Sequence, residues 1–93
     1  MNTTVVIVSY KSDRKIYHNL DKFDKSIDVL IIENSKDLHL KSIIEKKYKN
    51  VKVKLNENKG FAQGANLGAK LAKSKYIFFV AQTILLQRTQ LKN

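Results

Sequence analysis

Val and Ile runs recur along this chain at intervals too short for two domains and too regular for a coil. "KYIFFVA" (Lys75 to Ala81) is an apolar strand, and "TTVVIVSY" (Thr3 to Tyr10) and "IDVLIIENS" (Ile27 to Ser35) each hold an unbroken run of Val, Ile and Leu rather than apolar residues at alternate positions. A strand of that kind buries both faces, as in the middle of a parallel sheet. "VKVKLN" (Val51 to Asn56) alternates apolar and basic residues instead. One of its faces meets water, and its lysines discourage further pairing, so it reads as an edge strand.

The segments between the strands carry helical spacing. Ser12 or Asp13 can cap a first helix whose apolar stripe is Ile16, Leu20 and Phe23. Asp37 can cap a second, with Leu40, Ile43, Ile44 and Tyr48 roughly on one face. The third spans about Phe61 to Ala72, with Phe61, Gly64, Ala65, Gly68, Leu71 and Ala72 expected inward. Two glycines inside a helix cost about 1 kcal/mol each relative to alanine, so a close approach to the sheet should offset them. The order β-α-β-α-β-α-β predicts an α/β, three-layer, Rossmann-like parallel sheet. No proline or low-complexity stretch divides the 93 residues, so residues 1–93 read as one unit.

Ligands of such sheets bind beyond the carboxyl ends of the strands. That places the search at Ser9–Ser12, Glu33–Asp37, Asn56–Gly60 and Ala81–Thr83. Tyr10 can stack on a planar base and Ser9 can bond its edge. Glu33 can accept from a base or from ribose hydroxyls. Gly60 can adopt a backbone conformation closed to other residues, and the helix behind it offers free N–H groups to a diphosphate, with Lys59 beside them. Gly60, Gly64 and Gly68 fall four apart, which is neither a Walker loop nor the dinucleotide fingerprint. On spacing alone, packing accounts for them better than ligand binding.

Other chemistries find no support. There is no Cys, hence no disulfide or thiolate site. His18 and His39 have no paired carboxylates at ligand spacing, and neither stands at a strand end where a serine could meet it. The formal charge of +10 suits polyanions, but the lysines are dispersed and the aromatics do not interleave with them as in single-strand binders. A specific nucleic-acid partner is therefore not expected, whereas peripheral contact with an anionic membrane is compatible with the charge. No apolar run reaches the roughly 20 residues of a membrane helix. The N-terminus lacks the pattern of a signal peptide. Both point to a cytoplasmic location.

Three stretches, in order, resemble glycosyltransferase family 2, sugar transferases of the GT-A fold. "VVIVSYKS" looks like its first strand and "VLIIENSKD" like its second. "NENKGFAQGANLGAKLAKSKYIFFV" is similar to its loop of Asn, one residue, Gly-Phe, then Gly, Asn and Gly, running into a helix and strand, most of all in rhamnosyltransferase-like members. The similarity runs from residue 3 to about 80. It implies the N-terminal, nucleotide-binding part of a GT-A fold and a site for a UDP- or dTDP-sugar. Ser9 and Tyr10 would line the base pocket and Glu33 would contact the base or ribose. Asn58, Gly60, Phe61 and Asn66 would form the loop and helix of the pocket, with Asn66 and Gly68 open to a structural role.

The chain departs from that pattern where the family places an acidic motif that helps hold Mg²⁺ or Mn²⁺. Here the fourth strand runs into "AQT", and no Asp or Glu follows Glu57. Neutral Gln82 and Thr83 cannot supply the charge a hard divalent cation takes. Ten residues follow Thr83, where the family has its acceptor-binding half and catalytic base. The expectation is a truncated nucleotide-sugar-binding domain, catalytically incomplete alone, with no catalytic residue to assign. The alternatives are an enzyme completed by a partner chain, a basic binding module, and a remnant without a nucleotide ligand. Truncation would leave "YIFFV" as an exposed edge, so self-association is expected as well.

Overall fold

The structure is a computed structural model that describes residues 3–10 and 20–81. Its elements are β1 (Thr3–Ser9), β2 (Asp28–Glu33), α1 (Leu38–Lys47), β3 (Val51–Leu55), α2 (Phe61–Leu71) and β4 (Tyr76–Ala81). The first predicted helix lies largely outside the described residues. Only its end is seen, as a 3₁₀ turn over 20–22 that buries Leu20.

All four strands are parallel, in the order β3-β2-β1-β4. β1 and β2 take the centre because they are apolar on both faces, as their Val/Ile runs require. On one face Val5, Ile7, Val29, Ile31, Val51 and Val53 pack with Leu40 and Ile44 of α1. On the other, Val6, Val8 and Ile32 pack with Ala65 and Leu67 of α2. This is the α/β Rossmann-like sandwich that the alternation predicts.

α1 is capped as expected: the Asp37 carboxylate accepts from Leu40 N at 3.0 Å. Ile43 departs from the expected stripe and is exposed. α2 departs more. Gly64 and Gly68, not the large residues, form its closest face to the sheet. A Cβ on Gly64 would stand 2.8 Å from Val8 Cγ1, and one on Gly68 would overlap Val6 Cγ1. So close an approach rotates the larger side chains off the contact line, and Phe61 and Leu71, expected inward, are exposed.

The two sheet edges are treated differently. At β3, Lys41 Nζ donates to Val53 O at 2.7 Å and Glu45 Oε2 accepts from Val53 N at 2.7 Å, while the two side chains pair at 2.8 Å. One turn of α1 thereby satisfies both backbone groups of an edge residue that would otherwise invite another strand. β4, at the other edge, shows Tyr76, Phe78 and Phe79 to solvent.

Partial burial raises the Glu45 pKa, but hydrogen bonds from Lys41 and from Val53 N–H outweigh it, and the net value falls below the ordinary 4.5. A depressed carboxylate contributes stability that is present above its unfolded pKa and lost as pH falls through the folded one. The Glu45→Gln variant is therefore expected to lose about 0.5–1 kcal/mol at neutral pH. Urea titrations across pH 3 to 7 should show a smaller acid-side loss in the variant than in the wild type. Parallel curves would remove the clasp from the account.

Candidate functional site

The strand order reverses at β1, which is where open parallel sheets bind ligands, beyond the carboxyl ends. There the chain leaves β1 at Tyr10, β2 at Asn34 and β3 at Asn56, and these three exits are tied together. Asn34 N donates to Ser9 O at 2.8 Å and Asn56 N to Glu33 O at 2.9 Å. Asn56 Nδ2 donates both to Asn34 Oδ1 at 2.9 Å and to Gln63 Oε1 at 2.8 Å, joining the β2 and β3 exits to the first turn of α2. Ser35 and Glu57 form an antiparallel bridge, and Lys36 Nζ lies 3.7 Å from Glu57 Oε1.

Glu33 is the centre of this arrangement. Its side chain has no exposed surface. Oε1 accepts from Ser9 Oγ at 3.1 Å, and Oε2 from Ser35 N at 3.0 Å and Asp37 N at 3.2 Å, with the Ser35 hydroxyl also on Oε2. A carboxylate can be buried without a cation when donors surround it in this way. The bonds bend the chain back after β2: Lys36 N reaches Glu33 O at 3.4 Å, and Lys36 takes the left-handed φ of 56°. The same turn puts Asp37 at the N-cap of α1.

On the far side of the site, Asn58 Oδ1 accepts from Gly60 N at 3.2 Å, an Asx turn that leads into α2. Gly60 is the N-cap, with φ 91°, a value few other residues tolerate. Among the described residues no side chain caps α2, which leaves its first N–H groups and the positive end of its dipole without a side-chain acceptor there.

A hollow of about 480 Å³, open to solvent, lies over these loops and is lined by Tyr10, Asn34, Ser35, Lys36, Glu57 and Asn58. Of the residues singled out from sequence, Tyr10 and Asn58 line it. Ser9 and Glu33 are buried beneath. Gly60 and Phe61 follow Asn58 at the start of α2, and Asn66 stands farther along that helix, exposed. Lys11 and Ser12, and Gln82 and Thr83, lie outside the described residues. The hollow is lined from three of the stretches that the sequence put forward, Ser9–Ser12, Glu33–Asp37 and Asn56–Gly60, but Asn34, Ser35, Lys36 and Glu57, and the amides Asn56 and Gln63, were not singled out there. The "ENS" that follows β2 and the "NEN" that follows β3 are the signal they left.

Among the described residues no cluster of three His, Cys, Asp or Glu side chains could hold a metal ion. Glu57 is the carboxylate lining the hollow and it pairs with Lys36, while Glu33 is engaged by its own loop. These described side chains do not by themselves make a divalent-cation site. No helix among the described residues is long and apolar enough to cross a membrane.

A parallel α/β sheet with a shallow pocket over the carboxyl ends of its first three strands defines a Rossmann-like fold of the GT-A kind. Residues 4–81 match the family Glycosyl transferase family 2, and the chain belongs to that family. Among solved structures it is similar to S. aureus TarS. The match to the TarS 1–349 structure has a TM-score of 0.69 at 22% identity, covering 98% of this chain and 32% of that one. A second TarS structure matches with a TM-score of 0.62 at 21% identity, covering 88% of this chain and 16% of that one. At such identities the likeness is one of fold, and the chain spans a third or less of these structures. No curated protein matches the sequence.

Proposed function

We propose that this chain is the nucleotide-sugar-binding part of a glycosyltransferase, with a UDP- or dTDP-sugar as ligand, and that it does not transfer the sugar by itself. The hollow over the strand ends, in a chain of this family, is the observation that supports the reading. The pocket-forming set is Ser9, Tyr10, Glu33, Asn58, Gly60, Phe61 and Asn66. The half-exposed Tyr10 ring stacks on the base. Asn58 and Gly60 aim the free N–H groups of α2 at the diphosphate. Glu33 supports the pocket from beneath. Its Oε1, which among the described residues accepts from Ser9, is the oxygen that a base N–H or a ribose hydroxyl reaches if the serine hydroxyl turns aside.

Transfer needs a base for the acceptor hydroxyl and a way to neutralise the leaving diphosphate. Neither role falls to a described residue, so no catalytic residue is assigned and no step is routed through Mg²⁺ or Mn²⁺. Titration calorimetry with UDP, dTDP and their sugars, with and without Mn²⁺, tests the reading. Binding of at least one is expected, with Tyr10→Ala weakening it about tenfold or more through the lost stacking. No heat from any of them at millimolar ligand would leave only the fold.

The same reading includes self-association through β4, in a cytoplasmic setting. Phe78 is 60% exposed on one face of that strand and Phe79 46% on the other, and no clasp like that on β3 is seen at this edge among the described residues. Sedimentation should show concentration-dependent dimers, and Phe78→Lys should shift them to monomer by charging the edge. A wild-type monomer at high concentration would contradict it.

A further inference from the structure

The lysines look dispersed in the sequence, but the fold gathers many of them. Every connection that enters a strand lies at the amino ends of the parallel sheet, opposite the hollow, and each brings lysines: Lys22 and Lys25 before β2, Lys47 and Lys49 before β3, Lys73 and Lys75 before β4. The aspartates at that end, Asp21, Asp24 and Asp28, are outnumbered. Among the described residues at and beyond the carboxyl ends of β2 and β3, Lys36 and Lys59 stand against Glu33, Asp37 and Glu57. The helix dipole accounts for a cation in the last turn of α1, such as Lys47, but not for Lys25, Lys49, Lys73 or Lys75 in the loops. The two ion pairs found among the described residues, Lys36–Glu57 and Lys41–Glu45, use none of the six.

Apolar side chains stand on the same end. Tyr76 is 55% exposed with Lys75 Nζ 5.6 Å from its ring centre, and Leu71 is 42% exposed. At the same end lies a groove of about 410 Å³ with Leu30, Leu71 and Ala72 as apolar lining, and with three lysines, Lys49, Lys52 and Lys73, against one carboxylate, Asp28. A surface for a soluble polyanion needs only the charge. Lysines with exposed Tyr and Leu beside a partly apolar groove match an anionic bilayer, where the stems and rings meet the acyl boundary and the ammonium groups meet the phosphates.

We propose that the amino-end face of the sheet is a docking surface for anionic phospholipid membranes, which leaves the hollow at the opposite end facing the aqueous phase. Co-sedimentation of the full chain with vesicles tests it. One vesicle is phosphatidylcholine alone, and the other is an equal mixture with phosphatidylglycerol. Binding is expected only to the mixed vesicles, and salt should release it. Each lysine near such a surface contributes about fivefold to affinity. The combined variant Lys47→Glu, Lys49→Glu, Lys73→Glu, Lys75→Glu should therefore lose all measurable binding. The pair Lys36→Glu, Lys59→Glu at the other end should keep most of it. Circular dichroism of both variants separates lost binding from lost folding, and should the fourfold variant unfold, Tyr76→Ser serves in its place. That single change should weaken vesicle binding several-fold and leave poly(U) binding unaltered. Three results would overturn the proposal: no binding to mixed vesicles, equal loss in both charge variants, or poly(U) competing at lower concentration than the vesicles with Tyr76→Ser without effect.

Discussion

Gly68→Ala destabilises the protein, although alanine is the better helix former by about 1 kcal/mol. The added methyl would overlap Val6 Cγ1, and Val6 is fully buried on a central strand with neighbours on both sides. It cannot move aside, so α2 must lift away from β1. Overpacking of this kind costs about 1–3 kcal/mol and exceeds the propensity gain. Gly68→Val removes the gain and adds bulk. It is expected to cost about 3 kcal/mol or more, which for a domain of this length lowers the thermal midpoint by roughly 12–24 °C. Gly64→Ala, whose methyl would stand 2.8 Å from Val8 Cγ1, should fall between the wild type and Gly68→Val. Thermal melts of the three variants decide it. A higher midpoint for Gly68→Ala would mean that the helix does not lie on the strand through its glycines.

Glu33→Ala is the second large effect. It strips the acceptor from two backbone N–H groups, of Ser35 and Asp37, and from the hydroxyls of Ser9 and Ser35. Leaving a buried donor unpaired costs about 1–3 kcal/mol, and the turn that delivers the Asp37 cap to α1 loses its anchor. Relief of a buried charge offsets part of this. A net loss of about 3 kcal/mol is expected. Glu33→Gln should cost under about 1 kcal/mol, because the amide oxygen can serve the two N–H groups while the Ser9 hydroxyl turns to accept from the amide nitrogen. Chemical denaturation of both variants checks the pair. Equal losses would show that the charge itself is required; no loss in either would show that the hydrogen-bonded turn is absent.

The sheet was legible in the sequence because its signal is dense. The Val/Ile runs of β1 and β2 leave no other place than the middle of a parallel sheet, and the lysines of "VKVKL" mark β3 as an edge. The Asp37 cap was legible because capping depends on local spacing. The face of α2 was not. Hydrophobicity argued for Phe61 and Leu71 inward, but two glycines four apart bring the helix so near to Val6 and Val8 that large residues cannot sit between. Distance of approach is a tertiary quantity, and sequence periodicity carries the direction of a face only roughly. The site shows the same limit. Tyr10 and Asn58 could be singled out by type and position, whereas the Asn34–Asn56–Gln63 amide chain and the Ser35–Glu57 bridge exist only once the strand exits are side by side. The gathering of lysines at the amino ends was hidden for the same reason: spread along the chain, they become neighbours through the parallel topology.

The most direct measurement is an amide-resolved NMR titration of the full chain with UDP and with dTDP. The account predicts saturable shifts at Tyr10, at Asn34 to Lys36, and from Glu57 to Gly60, with Lys49, Lys73 and Lys75 unmoved by nucleotide. Shifts confined to the lysine-rich amino ends, or none at any strand exit, would contradict it.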